Sequence, residues 1–306
     1  MSWKAPAVSA FLTIALLFQA MPGLYAGAPA ENNRRWPSRT IPYAICDCSK
    51  GDPKPLCSKV QCLSNDTVKI AQDAIDTWNK TAGTAIKFTP RDPKNDTAPY
   101  VLFMSQESST SKDKFKKGER CSTLGDPGWS GANEPKIILI PDGCLSDRSR
   151  KNVLGVMMHE MGHAVGLNHE QQRTDRDKYI IVKFTGSTAN KEISQSGRMC
   201  APDNQAACEF HSHIFYREYT YGQDIGEYDL GSVMHYHLKP PDQGNWEKIC
   251  GKGNDDLETA CIGLTNDGLA RMSAQNLKRP SIGEIERGLS PLDVEALEKY
   301  YQGVSF

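Results

Sequence analysis

The 306-residue sequence predicts an α+β fold, one domain in two lobes, and three observations carry that expectation. Two long stretches, Asn65 to Lys80 and Arg150 to about Val165, have helical character, while the short β-rich runs fall between them. The second half is polar, with little clean periodicity until a last helical stretch at Leu289 to Tyr301. An N-terminal lobe of twisted sheet and two long helices should therefore be followed by an irregular C-terminal lobe with a final helix.

Taken in order, the amino-terminal stretch carries Lys4, an apolar run from Ala10 to Phe18, and small residues at Ala20, Gly23, Ala26, Gly27 and Ala28. That order is the pattern of a secretory signal peptide over residues 1–26, cleaved between 20 and 30, and the run is too short to span a bilayer. Residues 27–306 then form the single domain. Trp36 to Ile45 reads as a Pro-punctuated extended segment, and Cys46 to Cys62 as a loop that needs cross-links to hold a shape. In the first helix Val68, Ala71, Ile75 and Trp78 share a face. β-rich runs follow at Ala85 to Phe88, Tyr100 to Met104 and Lys136 to Ile140.

The second helix is closed by Gly166, suited to the left-handed position just past a helix end. Lys183 to Gly231 has no readable fold, and Pro240 to Pro280, rich in Gly, Asn and Asp, reads as an irregular disulfide-pinned loop. In the last helix Ser290 is the N-cap, Pro291 takes the first position, and Val294, Leu297 and Tyr301 form the buried side.

Charge and cysteine usage set the class. Lys plus Arg (36) nearly cancel Asp plus Glu (37), leaving −1, which argues against a nucleic-acid or membrane-surface partner. The ten cysteines, an even number in local clusters, imply five disulfides and a secreted, extracellular protein. Asn65, Asn79 and Asn95 begin N-x-[ST] glycosylation triplets consistent with that route. Cys46-Asp47-Cys48 could suggest a second metal site, but thiolates are scarce in an oxidising compartment.

The chemistry is concentrated in His159-Glu160-Met161-Gly162-His163-Ala164-Val165-Gly166-Leu167-Asn168-His169. Residues four apart project from one helical face, so the His159 and His163 rings can converge on one ion with Glu160 beside them. A third imidazole must come from off that face, and a turn at Gly166 brings His169 back toward it. Three nitrogen ligands with one open position suit a catalytic Zn2+ rather than a structural one. Glu160 is the acid–base group a hydrolase needs beside an activated water. His211, His213, His235 and His237 form two H-x-H pairs, but no acidic partner at matching spacing supports a second metal there.

Read onward, this helix resembles the metzincin proteases. The continuation His169-Glu170-Gln171-Gln172-Arg173-Thr174-Asp175-Arg176-Asp177 resembles the astacin family specifically, and Ser232-Val233-Met234-His235-Tyr236 is similar to its Met-turn. The resemblance extends to Trp36-Pro37, Ile41-Pro42-Tyr43 and Leu289-Ser290-Pro291-Leu292-Asp293. The resemblance implies a metzincin-like two-lobed catalytic domain that cuts internal bonds of extended polypeptides, and the end of the sequence at Phe306 with no appended adhesion module favours a soluble monomer. The resemblance further implies that His159, His163 and His169 hold the zinc, with Glu160 as general base. Met234 then packs beneath the site, and Tyr236 approaches the metal in the resting enzyme and donates to the oxyanion of the tetrahedral intermediate during turnover. Cys121 pairs with Cys144, and residues Cys121 to Gly125 form the sheet edge on which substrate lies antiparallel.

Two departures from the family stand out. Its long disulfide has no counterpart, since Ala85 occupies one end and Tyr301-Gln302-Gly303 the other. Bridges within Cys46, Cys48, Cys57 and Cys62 (three pairings open), within Cys200 and Cys208, and within Cys250 and Cys261 would replace it. Nor does an F-x-G-D latency motif precede Trp36. Signal cleavage alone would then expose a mature amino terminus that approaches Glu170.

Overall fold

Thr40–Ile45 forms the first strand, β1, whose alternating Ile41 and Tyr43 are buried. It is the second strand of a five-stranded sheet in a computed structural model that describes residues 34–50, 62–92, 98–105, 122–123, 128–129, 131, 134–140, 150–183, 224–236, 261–277 and 288–306. The other strands are β2 (Lys87–Pro90), β3 (Val101–Met104), β4 (Ser122–Thr123) and β5 (Lys136–Leu139). Their order is β2-β1-β3-β5-β4. β1 runs parallel to both β2 and β3, and β3 runs parallel to β5. The two-residue β4 runs antiparallel on the outer edge, pairing Thr123 with Ile138.

Helix α1 (Asn65–Ala82) makes the crossover between β1 and β2 that a parallel pair requires. Ser64 caps it by accepting from the Thr67 N–H, and Ala71, Ala74, Ile75, Trp78 and Ala82 are buried. Trp78 meets Phe88 edge-on at 5.6 Å and donates its indole N–H to the Ile86 carbonyl, fixing β2 beneath the helix. Ala85 and Ile86 do not join the strand as the sequence suggested. Their N–H groups are both spent on the Ala82 carbonyl at the helix end, so pairing starts at Lys87. Asn79 turns its amide inward to exchange two hydrogen bonds with the Phe88 backbone, each 2.8 Å. Of the two described glycosylation candidates, only Asn65 stands exposed; Asn95 lies outside the described residues.

Helix α2 (Arg150–Ala164) packs across α1 and presents buried apolar residues on several sides, as expected of a helix enclosed in a core. Helix α3 (Asn266–Ala274) and the pair β6 (Ile180–Lys183) and β7 (Cys261–Leu264) add regular structure to the C-terminal half. Residues 261–274 therefore correct the expectation of an irregular loop through Pro280. The Gly/Asn/Asp content that reads as a turn is here a helix start. Thr265 is the N-cap, accepting from Gly268 N–H, and Asn266 and Asp267 fill the first turn. Gly268 is required because a Cβ there would lie 2.0 Å from the Tyr179 carbonyl oxygen.

The last helix, α4 (Pro291–Tyr300), begins with Ser290 as N-cap and Pro291 at the first turn, as the sequence predicts. Its buried residues are Asp293, Ala296, Leu297 and Tyr300, with Tyr301 buried just beyond. No disulfide is needed to dock this end. Arg39 donates twice to the Tyr301 carbonyl (3.0 and 2.7 Å) and its N–H reaches Ser305, while Arg35 donates to the Tyr300 carbonyl. Ala85, at the position of the missing half-cystine, is buried. Cys48 and Cys62 form a disulfide, which narrows the pairings left open, and Cys46 is also disulfide-bonded. The expected signal peptide and the Cys121–Cys144, Cys200–Cys208 and Cys250–Cys261 pairings involve residues outside the described set. Among the described residues, no helix is long and apolar enough to cross a membrane.

Candidate metal centre

The position of the site follows from how α2 ends. An α-helix leaves its last four carbonyls without partners inside the helix. Here Leu167 N–H donates to Gly162 (2.9 Å) and Gly166 N–H to His163 (3.0 Å), the paired bonds of a Schellman ending. Gly166 has φ +105°, the left-handed region this turn demands, and the Tyr300 ring packs where its Cβ would be. Beyond the turn, Trp36 donates its indole N–H to the Ala164 carbonyl (2.9 Å), and the Tyr301 hydroxyl donates to the Val165 carbonyl (2.7 Å). Residues near both ends of the domain thus secure the point where the chain reverses. The reversal carries His169 back to His159 and His163.

Among the described residues the three imidazoles form the cluster that could hold a metal ion, their ligand atoms within 4.8 Å of one another. His169 Nε2 lies 3.3 Å from His159 Nε2 and 3.2 Å from His163 Nε2. The protons can be assigned from the opposite side of each ring. His159 Nδ1 meets the Val233 carbonyl (2.7 Å) and His163 Nδ1 meets the Leu167 carbonyl (2.8 Å). Carbonyls only accept, so both Nδ1 atoms carry hydrogen and both Nε2 atoms are bare lone pairs. His169 Nδ1 lies 3.1 Å from Gln172 Oε1, which also accepts from the His169 backbone N–H. That oxygen is therefore an acceptor too, and the third Nε2 is likewise bare.

Three converging lone pairs cannot hydrogen-bond one another, and they repel unless a cation sits between them. Extra protons are not the answer, because every ring is held below the usual histidine range. Burial is the largest cause in each case; for His163 burial and then the His159 ring push the pKa down to about 3. Neutral imidazoles aimed at one point fit a zinc ion.

Met234 is buried against α2, where Gly162 makes room for it: a Cβ on Gly162 would lie 2.4 Å from the Met234 sulfur. Tyr236 lies beside the third histidine, its ring 4.6 Å from that of His169, and its N–H donates to Gln171 Oε1. Glu160 is buried on α2, one residue after His159. Glu170 is buried as well, accepting from the Asp229 N–H (2.8 Å) with Arg173 at 3.5 Å. Burial outweighs the arginine and raises its pKa to about 8.

Sequence reasoning assigned no role to Asp293, which secures the turn beneath the cluster. Its carboxylate accepts from the Ser232 hydroxyl (2.6 Å) and the Val233 N–H (3.0 Å), and also from the Ser290 N–H (2.9 Å) that it caps. Val233 is the residue whose carbonyl holds His159, so α4 reaches that ring through a single residue. The S-x-x-D pattern of Ser290 to Asp293 marks the capping role, but nothing local marks a partner sixty residues away.

Residues 28–280 match the sequence profile of the astacin peptidase family. The chain is 29% identical over 212 residues to Blastula protease 10 of Paracentrotus lividus, covering 68% of this chain and 26% of that protein. It is 30% identical over 212 residues to protein SpAN of Strongylocentrotus purpuratus, covering 68% and 25%. With Astacin-like metalloprotease toxin 4 of Loxosceles laeta it shares 36% over 122 residues, 40% of this chain and 82% of the toxin. The chain spans about a quarter of the length of the two sea-urchin proteins.

Proposed function

The chain belongs to the astacin family of peptidases, and from that membership we infer that it is a secreted zinc endopeptidase acting on extended polypeptides. The observation that carries this reading is the convergence of three bare Nε2 lone pairs, each fixed by an acceptor behind its ring. His159, His163 and His169 would hold the zinc, which when bound supplies Lewis acidity, making water acidic near neutral pH and polarising a carbonyl. Glu160 takes the proton of the attacking water and returns it to the departing amine. Its burial beside the cluster supports a proton shuttle kept from bulk solvent. Tyr236 donates its hydroxyl to the oxygen that gains charge, a role supported by its ring lying against His169.

The substrate backbone adds to the β4 edge of the sheet, where, among the described residues, no strand pairs with the outer side of Ser122 and Thr123. Residues 1–26 serve as the signal peptide, and the Cys48–Cys62 disulfide supports an oxidising destination. The mature amino terminus would meet Glu170, whose buried carboxylate lies within the influence of Asp229 and Asp293 as well as Arg173. Cys121 and Cys144 pair in the same reading, and the protein works as a monomer.

The test is casein digestion by purified protein, with chelator, with zinc restored, and with Glu160→Gln. Activity should vanish with chelator, return with zinc, and fall by about 10² or more in the variant, since removal of a general base costs on that scale. Chelator-resistant cleavage, or a variant as fast as the parent, would refute the assignment.

A further inference from the structure

Two of the three ligating rings are held by backbone carbonyls, Val233 for His159 and Leu167 for His163. His169 differs: the group behind its ring is the side chain of Gln172. The residues Glu170–Gln172 form a 3-10 turn, which places residues three apart on one side, so Gln172 comes back over His169. Three hydrogen bonds join the two residues. Gln172 N–H donates to the His169 carbonyl (3.0 Å), and Gln172 Oε1 accepts from both the His169 N–H (3.2 Å) and Nδ1 (3.1 Å). Gln172 is 5% exposed, so bulk water has little access to replace that oxygen.

We propose that Gln172 is a positioning residue for the metal centre, its amide oxygen fixing the tautomer and the rotation of His169 so that Nε2 faces the ion. The inference rests on the zinc-site reading above. The backbone N–H is an obligatory donor, so the shared oxygen cannot be exchanged for the amide nitrogen without facing a donor with a donor. Ring rotation and amide flip are thereby locked together. His169 is the ligand for which this matters most, because it follows the helix and lacks the i, i+4 spacing that aligns the other two. Loss of an orienting partner behind a ligating histidine typically weakens metal binding about 10- to 100-fold.

The experiment measures zinc affinity of the full secreted chain by competition with a chelator at pH 7, for wild type, Gln172→Met and Gln172→Glu, alongside thermal unfolding of the zinc-free forms. Met keeps the length but has no oxygen acceptor; Glu keeps one. Gln172→Met should bind zinc about 10- to 100-fold more weakly, and Gln172→Glu should stay within about threefold of wild type, restoring the orientation with a different acceptor. A purely structural cap would lower the unfolding temperature of the zinc-free methionine variant and leave its zinc affinity unchanged, and that result overturns the proposal. If Gln172→Met does not fold, nitrogen NMR of the zinc-loaded wild type decides: a hydrogen on His169 Nδ1 supports the proposal, and metal on Nδ1 refutes it. A wild type that takes up no zinc overturns the metal centre itself, an outcome distinct from a wild type and Gln172→Met that bind alike.

Discussion

Replacing Asp293 with alanine should destabilise the C-terminal lobe and loosen the metal centre together. The carboxylate accepts three hydrogen bonds, from the Ser232 hydroxyl and the N–H groups of Val233 and Ser290. Alanine leaves those donors without their acceptor, at about 1–3 kcal/mol for each one kept from water. Ser290 is half-buried at a helix start, so its N–H can recover a water and falls at the low end. Part of the cost is returned, because burial and the neighbouring Asp229 raise the Asp293 pKa to about 7 and removing the acid relieves that crowding. The balance is a loss of roughly 2–5 kcal/mol, a large share of the 5–15 kcal/mol typical of a domain. Urea unfolding of the zinc-free protein at pH 7 should show a midpoint lower by about 1 M or more. Zinc affinity should fall as well, because Val233, freed from Asp293, no longer holds His159 firmly. A variant that unfolds at the wild-type midpoint would refute the coupling of α4 to the turn beneath the histidines.

Gly166→Ala forces a Cβ to within 2.9 Å of the Tyr300 ring and a side chain into φ +105°. The left-handed geometry alone costs about 1–2 kcal/mol, so both thermal stability and zinc affinity should drop, and an unchanged affinity by chelator competition would count against Gly166 as the device that delivers His169. The pH dependence of the zinc-free protein has two opposing arms. The histidines are depressed below 6.5 in the folded state, so the unfolded chain binds more protons and stability falls as pH drops below 6.5, at up to about 1.4 kcal/mol per pH unit for each ring. Glu170 and Asp293 are raised, to about 8 and about 7, so their contribution is lost as pH rises from the ordinary carboxylate range through those values. Below pH 6.5 the three rings are opposed by three raised carboxylates, since burial raises Asp229 as well, and above it only the carboxylates titrate, so the urea midpoint should change little between pH 5 and 6 and fall from pH 6.5 to 8; a midpoint that rises between pH 6.5 and 8 would contradict the assignment of these groups.

Much of the site is legible in the sequence because its spacing is local. His159, His163, Gly166 and His169 lie within eleven residues, and one helix with one left-handed turn converts that spacing into convergence. The first and last helices are equally readable, since apolar periodicity marks their faces and Ser290 flags the start of the last. What cannot be read is which distant group completes a local one. The Ala164 and Val165 carbonyls are satisfied by Trp36 and Tyr301, 128 and 136 residues away, and backbone carbonyls such as Val233 leave no residue signature at all. Gln172 had a local sign, a glutamine three residues after an N-cap, but the cap is a histidine rather than the serine or threonine that usually flags the box. Strand β7 and helix α3 were hidden by residues that serve turns and helix starts alike.

The most direct measurement is an anomalous-scattering map at the zinc absorption edge from zinc-soaked crystals of the full chain. A single strong peak about 2.0–2.1 Å from Nε2 of His159, His163 and His169, with no further protein ligand except the Tyr236 hydroxyl, is the expected result. A peak elsewhere, or a side chain other than Tyr236 completing the coordination, would contradict a catalytic zinc centre.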